Sequence, residues 1–412
     1  MTLLGAFFGA ILYGRLADRV GRKRIYGLEA AIMTVSAFAS AFAPDLAWLI
    51  VCRFLLGFGI GGDYPVSAVL MSEYANRRNR GRLVGLVFAM QALGTIAGYV
   101  FGLTLLSAGV NHDLVWRLLL GLGALPSAAV LYMRRRMPES PRYLAWVEGR
   151  EKEAARSLEQ FSDGQIKART NGSAVKPVRL SLGEFLSDRR LALILLGTAG
   201  SWFVFDYAYY GNSVSAPLIV LSVLGKKATI EQSLALNLLI WLVAAVPGYY
   251  LACGLMDRIG HRRLQLIGFP AMGAAFLLIG VIPGVTAAVG PFLVLFGISY
   301  FFAEFGPNTT TFVLSSEVFP TSVRTTGHGI SAGVAKFGAF IGVYLFPHIS
   351  EALGVGGALE FSAGMAALGF LVTFLIPEPA QESLEQISGE SRLLAALQQG
   401  SATSAGLQPS LG

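Results

Sequence analysis

Lys336 is the sole Lys, Arg, Asp or Glu in the apolar run HGISAGVAKFGAFIGVYLF, and the apolar run before it carries Glu304, Asn308, Thr309, Thr310 and Thr311. Taking a charged side chain to the centre of a bilayer costs at least ~2.5–3.5 kcal/mol, so such a residue is retained for a task. An ammonium among amide and hydroxyl dipoles can hold an anion. A carboxyl beside it can take up and release protons. Asn308 and Lys336 are 28 positions apart, as are Asp63 and Gln91 in two apolar runs nearer the N-terminus. Asp206 adds a further carboxyl, with Trp202 and Tyr210 four residues to either side and so on one helical face. When protonated, Asp206 donates a hydrogen bond as the indole and phenol do, and such a trio suits an oxyanion. Phe203, Phe205 and Tyr207 read instead as packing.

Long apolar helices must position these groups. The 412-residue chain is 54% hydrophobic with a mean hydropathy of +0.59, too apolar for a soluble multidomain protein. A membrane helix needs ~20 residues. Spans are expected at 26–44, 47–71, 83–107, 115–133, 190–213, 232–254, 264–283, 287–313, 328–350 and 356–376. Residues 1–14 are apolar too, but as a helix they reach only ~21 Å against a hydrocarbon core of ~30 Å. A cleaved signal peptide fits them poorly, because the basic cluster follows the apolar stretch instead of preceding it.

The formal net charge of +7 comes from basic residues in loops of one parity. Arg15, Arg19, Arg22, Lys23 and Arg24 fill one loop, and Arg77, Arg78, Arg80 and Arg82 the next but one. Arg134, Arg135 and Arg136 open the middle loop, and Arg258, Arg262 and Arg263 follow. This is the positive-inside pattern, which puts those loops and the C-terminus in the cytoplasm. The basic balance therefore reports topology, and no nucleic-acid partner is expected. Cys52 and Cys253 both fall within spans, so no disulfide framework exists. The four histidines (112, 261, 328, 348) lack ligand spacing, so neither metal nor cofactor is expected. With no nucleophile–base pair visible, an enzyme is not expected either.

The chain repeats itself. GRLADRVGRKR (14–24) returns as GLMDRIGHRRL (254–264), and MPESPRY (137–143) as IPEPAQE (376–382), with Asp18 and Asp257, and Pro138 and Pro377, each 239 positions apart. SEYANRRNRGR and SEVFPTSVRTT align Glu73 with Glu317 and Arg80 with Arg324, while Asp63 falls on Asn308 and Gln91 on Lys336. Parallel repeats of this kind mark a helical transporter with its site between two halves near the midplane. The expected domains are an N-terminal half (1–133), a cytoplasmic linker (134–189), a C-terminal six-helix half (190–377) and a cytoplasmic tail (378–412). Subtracting the offset leaves the first half without its first helix and part of its second, giving about 11 of 12 transmembrane helices. A truncated gene model or late start codon is the favoured reason, a genuine eleven-span variant the alternative.

Two loops read as mechanical. In G-x-L-A-D-R-x-G-R-K, Asp18 can sit at a helix N-terminus or pair with arginines such as Arg22, and Gly14 and Gly21 permit close packing and turning. Asp257 is its counterpart in the second copy. Glu317 with Arg324, echoed by Glu73 with Arg80, reads as a pair of cytoplasmic latches. Gly57, Gly59 and Gly62 match G-x-G-x-x-G, but no strand precedes them, so a dinucleotide site fails on context. They read as close helix packing, and Gly94, Gly98 and Gly102 as a second stripe of that kind.

The loop at 14–24 resembles that between the second and third helices of the major facilitator superfamily. GGDYPVSAVLMSEYANRRNRG, MPESPRY, WFVFDYAYYG and FGPNTTTF with GHGISAGVAK are similar to the phosphate:proton symporter family within it, over nearly all of residues 5–380. This resemblance implies an all-α membrane protein with the major facilitator fold, two pseudo-symmetric six-helix halves. It implies an inorganic phosphate site at Tyr64, Gln91, Trp202, Asp206, Tyr210, Asn308 and Lys336. It also implies proton coupling at Asp63 and Asp206, with import as the usual direction. Glu304 departs from the family, which more often shows an amide there, and is expected to carry a proton or tune Lys336. The full expectation is a monomeric, multi-pass protein of the plasma membrane, embedded in lipid, that imports phosphate with protons. Transport of another small organic anion or a sugar, or a non-transporting phosphate sensor or inactive remnant, is the alternative.

Overall fold

The structure is a computed structural model describing residues 1–162, 164 and 179–390. Within a bilayer every backbone N–H and C=O must be satisfied internally, and the described residues answer this with helices and short connections. The first group comprises α1 (Thr2–Val20), the one-turn α2 (Arg22–Ile25), α3 (Leu28–Ala41), α4 (Leu46–Tyr74), α5 (Arg80–Ser107) and the consecutive α6 (His112–Leu122) and α7 (Ala124–Arg136). Next come the amphipathic α8 (Glu151–Phe161) and α9 (Leu182–Ser187). The second group opens with α10 (Arg189–Leu224) and α11 (Ile230–Ile240), which runs through a π turn into α12 (Val246–Ile259). Then follow α13 (His261–Val281), α14 (Val289–Ala303), a π turn over Glu304–Asn308, α15 (Thr309–Glu317), α16 (Arg324–Thr373) and the short α17 (Leu384–Ser388). Part of the expected linker and the tail beyond Glu390 lie outside the described residues.

Eight helical stretches among the described residues are long and apolar enough to cross a membrane. The last of them holds two expected spans in one. α16 runs from Arg324 to Gly354, whose φ of 74° reverses the chain, and its second part returns along α13. Gly356 lies against Gly280 at the outer end of α13, and the Ile376 carbonyl accepts from Arg262 at the basic end.

The N-terminal segment corrects the expectation for residues 1–14. The apolar run ends near Tyr13, but the helix continues through the charged residues to Val20 and reaches ~28 Å. Its last turn stays helical because Asp18 is buried against the second group instead of facing water. Helix α3, at 14 residues, is shorter than the expected span.

Close backbone packing fixes the bundle. A Cβ on Gly57 or Gly61 would stand 1.9 and 2.2 Å from the carbonyl oxygens of Thr2 and Ala6, so α1 and α4 touch backbone to backbone. Gly342 does the same between α16 and α10, 2.2 Å from the Tyr207 carbonyl. The stripe at Gly94 and Gly98 does not: a Cβ added at either would meet no atom of another helix within 4 Å, which corrects the packing expected there.

Candidate functional site

Lys336 sits midway along the first part of α16, 3% exposed. Its ammonium donates to Asp206 Oδ2 at 2.9 Å and to Tyr210 Oη at 3.1 Å, both from α10. It also lies 4.8 Å from the centre of the Tyr64 ring, from α4 in the first group. An ammonium has three donors; here a carboxylate, a phenol and a π face surround them. Trp202, on the same face of α10, is fully buried. Its indole N–H points towards the Asp206 carboxyl without a normal hydrogen bond, and Asp206 Oδ1 is likewise unpartnered. Gln91 lies on α5 with Oε1 buried and unpartnered, and no direct bond joins it to Lys336. The two groups of helices thus converge on Lys336 with polar atoms left unspent.

An aromatic layer lies on the basic-loop side of this cluster. Phe88 of α5 stacks on Phe312 of α15 at 4.6 Å, and Tyr64, Trp202 and His328 close around them at 5.4–6.3 Å. Both His328 ring nitrogens lack a hydrogen-bond partner. Phe88 and Phe312 give no signal in the sequence, because apolar rings in apolar spans do not stand out, and His328 stands out only as a histidine without ligand spacing. Only their three-to-eight-residue spacing from Gln91, Asn308 and Lys336 could have suggested them.

Asn308 and Glu304 form a second polar knot. Pro307 and the non-helical Gly306 open the helix into a π turn. Thr309, Thr310 and Thr311 hydroxyls donate back to the carbonyls of Glu304, Gly306 and Pro307, at 2.6, 2.9 and 2.7 Å, and so repair the break. The Asn308 amide nitrogen donates to Tyr249 Oη at 2.7 Å and to Glu304 Oε2 at 2.5 Å. Tyr209 Oη donates to Glu304 Oε1 at 2.6 Å. Tyr209 and Tyr249 carried no sequence signal of this role.

Asp63 does not join Lys336. Its neighbour Tyr64 faces the centre, and successive residues differ by about 100° around a helix, so Asp63 points elsewhere. It pairs with Arg134 at 2.6 Å, which also pairs with the buried Glu29 at 3.2 Å and covers the Tyr26 ring. Glu29 was missed, although it is a carboxylate inside an apolar span. In the sequence Arg134 stands out only as part of the basic loop.

The end that carries the basic loops is joined by ion pairs, and here the expected latches are corrected. Glu73 does not pair with Arg80, nor Glu317 with Arg324. The partners are exchanged between the two groups: Arg324 Nη1 to Glu73 Oε1 at 3.0 Å, and Arg80 Nη2 to Glu317 Oε2 at 2.9 Å. Within each repeat the glutamate ends one helix and the arginine opens the next, so both side chains project across the interface. Arg22 adds a bond to Glu73 at 3.3 Å and donates to the Thr321 carbonyl at 2.7 Å. The two aspartates cap helices of the opposite group. Asp18 accepts from the amides of Thr325 and Thr326 at the start of α16, and Asp257 from those of Gly81 and Arg82 at the start of α5. In the adjoining loop, burial raises the Glu139 carboxyl above its ordinary range, although it accepts backbone N–H bonds from Arg22, Lys23 and Ser140.

Paired helical groups, a buried lysine between them and a charged seal at one end define a membrane transporter of the major facilitator type. Solved structures of other proteins share this fold. The proton:xylose symporter XylE matches with a TM-score of 0.74 at 19% identity, over 94% of this chain and 87% of that one. The human organic anion transporter MFSD10 matches with a TM-score of 0.65 at 15% identity, over 90% and 82%. The chain belongs to the sugar (and other) transporter family, whose profile matches residues 1–390. Among curated proteins it is 37% identical to a probable inorganic phosphate transporter 1-6 of Arabidopsis thaliana, over 95% of this chain and 83% of that relative. It is 36% identical to inorganic phosphate transporter 1-6 of Oryza sativa subsp. japonica, over 95% and 82%. It is also 36% identical to low affinity inorganic phosphate transporter 8 of Medicago truncatula, over 95% and 81%. The chain is accordingly a multi-pass integral membrane protein.

Proposed function

We propose that this transporter imports inorganic phosphate together with protons across the plasma membrane by alternating access. The observation that carries the reading is the Lys336–Asp206 pair, buried at the meeting of the two helical groups with Tyr210 and Tyr64 around it. A small oxyanion suits this pair better than a polyol does, and relatives over most of the chain are named phosphate transporters.

In the state described, Asp206 neutralises Lys336 and the cytoplasmic seal is shut. A proton on Asp206 frees the ammonium and turns the carboxyl into a donor. Phosphate then binds to Lys336, Asp206, Trp202 and Tyr210 from one half and to Tyr64 and Gln91 from the other, with Asn308 beside them. Its charge draws the halves together, and the cost of holding both ends shut is relieved by separating the cross-paired Glu73–Arg324 and Arg80–Glu317 bridges. The same movement strips Asp18 and Asp257 from the helix ends they cap, with Arg22 released from Glu73. Loss of the proton to the cytoplasm restores the Asp206–Lys336 pair and expels the anion. Asp63, tied to Arg134, relays a proton within the first half by exchanging its arginine with Glu29. One chain holds every group named, so a monomer suffices.

The test is selectivity. The purified chain in liposomes should take up labelled phosphate, with excess unlabelled arsenate competing and xylose or a dicarboxylate leaving uptake unchanged. Competition by xylose or by the dicarboxylate alone would move the reading to a sugar or an organic anion.

A further inference from the structure

Glu304 has no task in that cycle, and Asn308 stands beside the phosphate without a bond assigned to it. An asparagine amide has two N–H donors, and the Asn308 nitrogen has partners for both, Tyr249 Oη and Glu304 Oε2. None is left for an anion. Glu304 is fully buried and accepts from Tyr209 as well, and among the described residues its surroundings supply hydroxyl and amide donors but no cation at ion-pair distance. We propose that Glu304 is a protonation-controlled switch on Asn308: charged, it holds the amide nitrogen to itself, and neutral, it releases one N–H to phosphate. The proposal rests on the phosphate reading of the central site.

The chemistry follows from acceptor strength. Hydrogen bonds to an ionised carboxylate are about twice as strong as neutral ones. A neutral carboxyl is a weaker acceptor and brings an O–H of its own, which can be given to Asn308 Oδ1 or to the Tyr249 oxygen. The amide is then free to turn. Glu304 therefore acts through Asn308 as a positioning residue, and its proton enters alongside the one on Asp206.

The groups facing the knot from every neighbouring helix restrict what can titrate. Tyr209 on α10, Tyr249 on α12 and Tyr300 on α14 face Glu304, and α13 brings the uncharged Gln265 to Thr310. One layer further out, Tyr210 on α10 and Tyr64 on α4 neighbour Tyr249, Tyr99 on α5 neighbours Tyr300, and Lys336 on α16 with Asp206 neighbours Tyr210. Over the neutral range phenols stay uncharged and ammonium groups stay charged. That leaves the carboxyls Glu304 and Asp206.

The experiment is the KM for labelled phosphate of the full chain in liposomes, measured from about pH 5 to about pH 8. Wild type, Glu304→Gln, Asn308→Ala and the double variant are compared. Glutamine imitates the neutral carboxyl, so Glu304→Gln should match wild type at the acid end. At the alkaline end it should have a KM about tenfold lower, the worth of one charge-assisted bond, with a flatter profile. In the Asn308→Ala background the same substitution should change nothing. Parallel profiles for wild type and Glu304→Gln, or an equal effect of the substitution without Asn308, would overturn the switch and leave phosphate transport standing. A wild type that moves no phosphate would overturn both. If Glu304→Gln fails to accumulate, Glu304→Asn, equally uncharged, is read by the same criteria.

Discussion

At the scale of single residues, the Lys336–Asp206 pair is both the proposed functional centre and a structural liability. Removing one partner of a buried pair leaves an uncompensated charge, at a typical cost of about 3–5 kcal/mol, whereas replacing both is far milder. Lys336→Met should therefore lower unfolding stability in detergent by about that amount, and Lys336→Met with Asp206→Asn should recover most of it, with transport lost in both. Equal stability of the single and double variants would show that the two side chains are not coupled. Lys336 and Asp206 were legible from sequence because each is an ionisable residue in an apolar run. Asp63 was legible as unusual but not in its direction. Its alignment with Asn308 fixes an equivalent depth, and the neighbouring Tyr64 is the one turned to the centre. Glu29 stands out in the sequence as a carboxylate in an apolar span, but its pairing with Arg134, and Arg134's with Asp63, needed the folded structure, since the three lie on three helices.

Among the helices, α10 and α16 decide where Asp206 and Lys336 meet, and their separation is set by glycine. A Cβ at Gly342 would stand 2.2 Å from the Tyr207 carbonyl, one residue past Asp206. Gly364, later in α16, has open space instead. Gly342→Ala should force the helices apart at an overpacking cost of about 1–3 kcal/mol and impair phosphate uptake, while Gly364→Ala should leave both melting temperature and uptake near wild type. Similar behaviour of the two variants would contradict the close contact. Most spans were legible from apolar length alone, but their ends were not. Helix α1 continues past its apolar run because tertiary contacts bury Asp18, and spans 328–350 and 356–376 join through a single reversal at Gly354. The stripe at Gly94 and Gly98 shows the converse: small residues permit close packing but do not by themselves bring a neighbour.

Across the whole molecule, the repeat in the sequence becomes an exchange of partners. Each half supplies a glutamate and an arginine to the other, and each aspartate caps a helix of the other, so these bonds at the basic-loop end exist only when the halves are together. The residues of this seal were legible from the repeat, but the exchange was not, since a glutamate and an arginine seven positions apart suggest each other first. The central site depends on the same juxtaposition, with Tyr64 from one side and Lys336 from the other. In the proposed cycle, binding, proton transfer and rocking are thereby linked through a few buried charges. The most direct measurement is labelled-phosphate uptake into liposomes carrying the full chain, with and without an inward-directed pH gradient. Wild type, Asp206→Asn and Lys336→Ala are compared. Uptake by wild type should rise with the gradient, Asp206→Asn should lose the response to it, and Lys336→Ala should lose uptake. Uptake indifferent to the gradient and to both substitutions would contradict proton-coupled phosphate transport at this site.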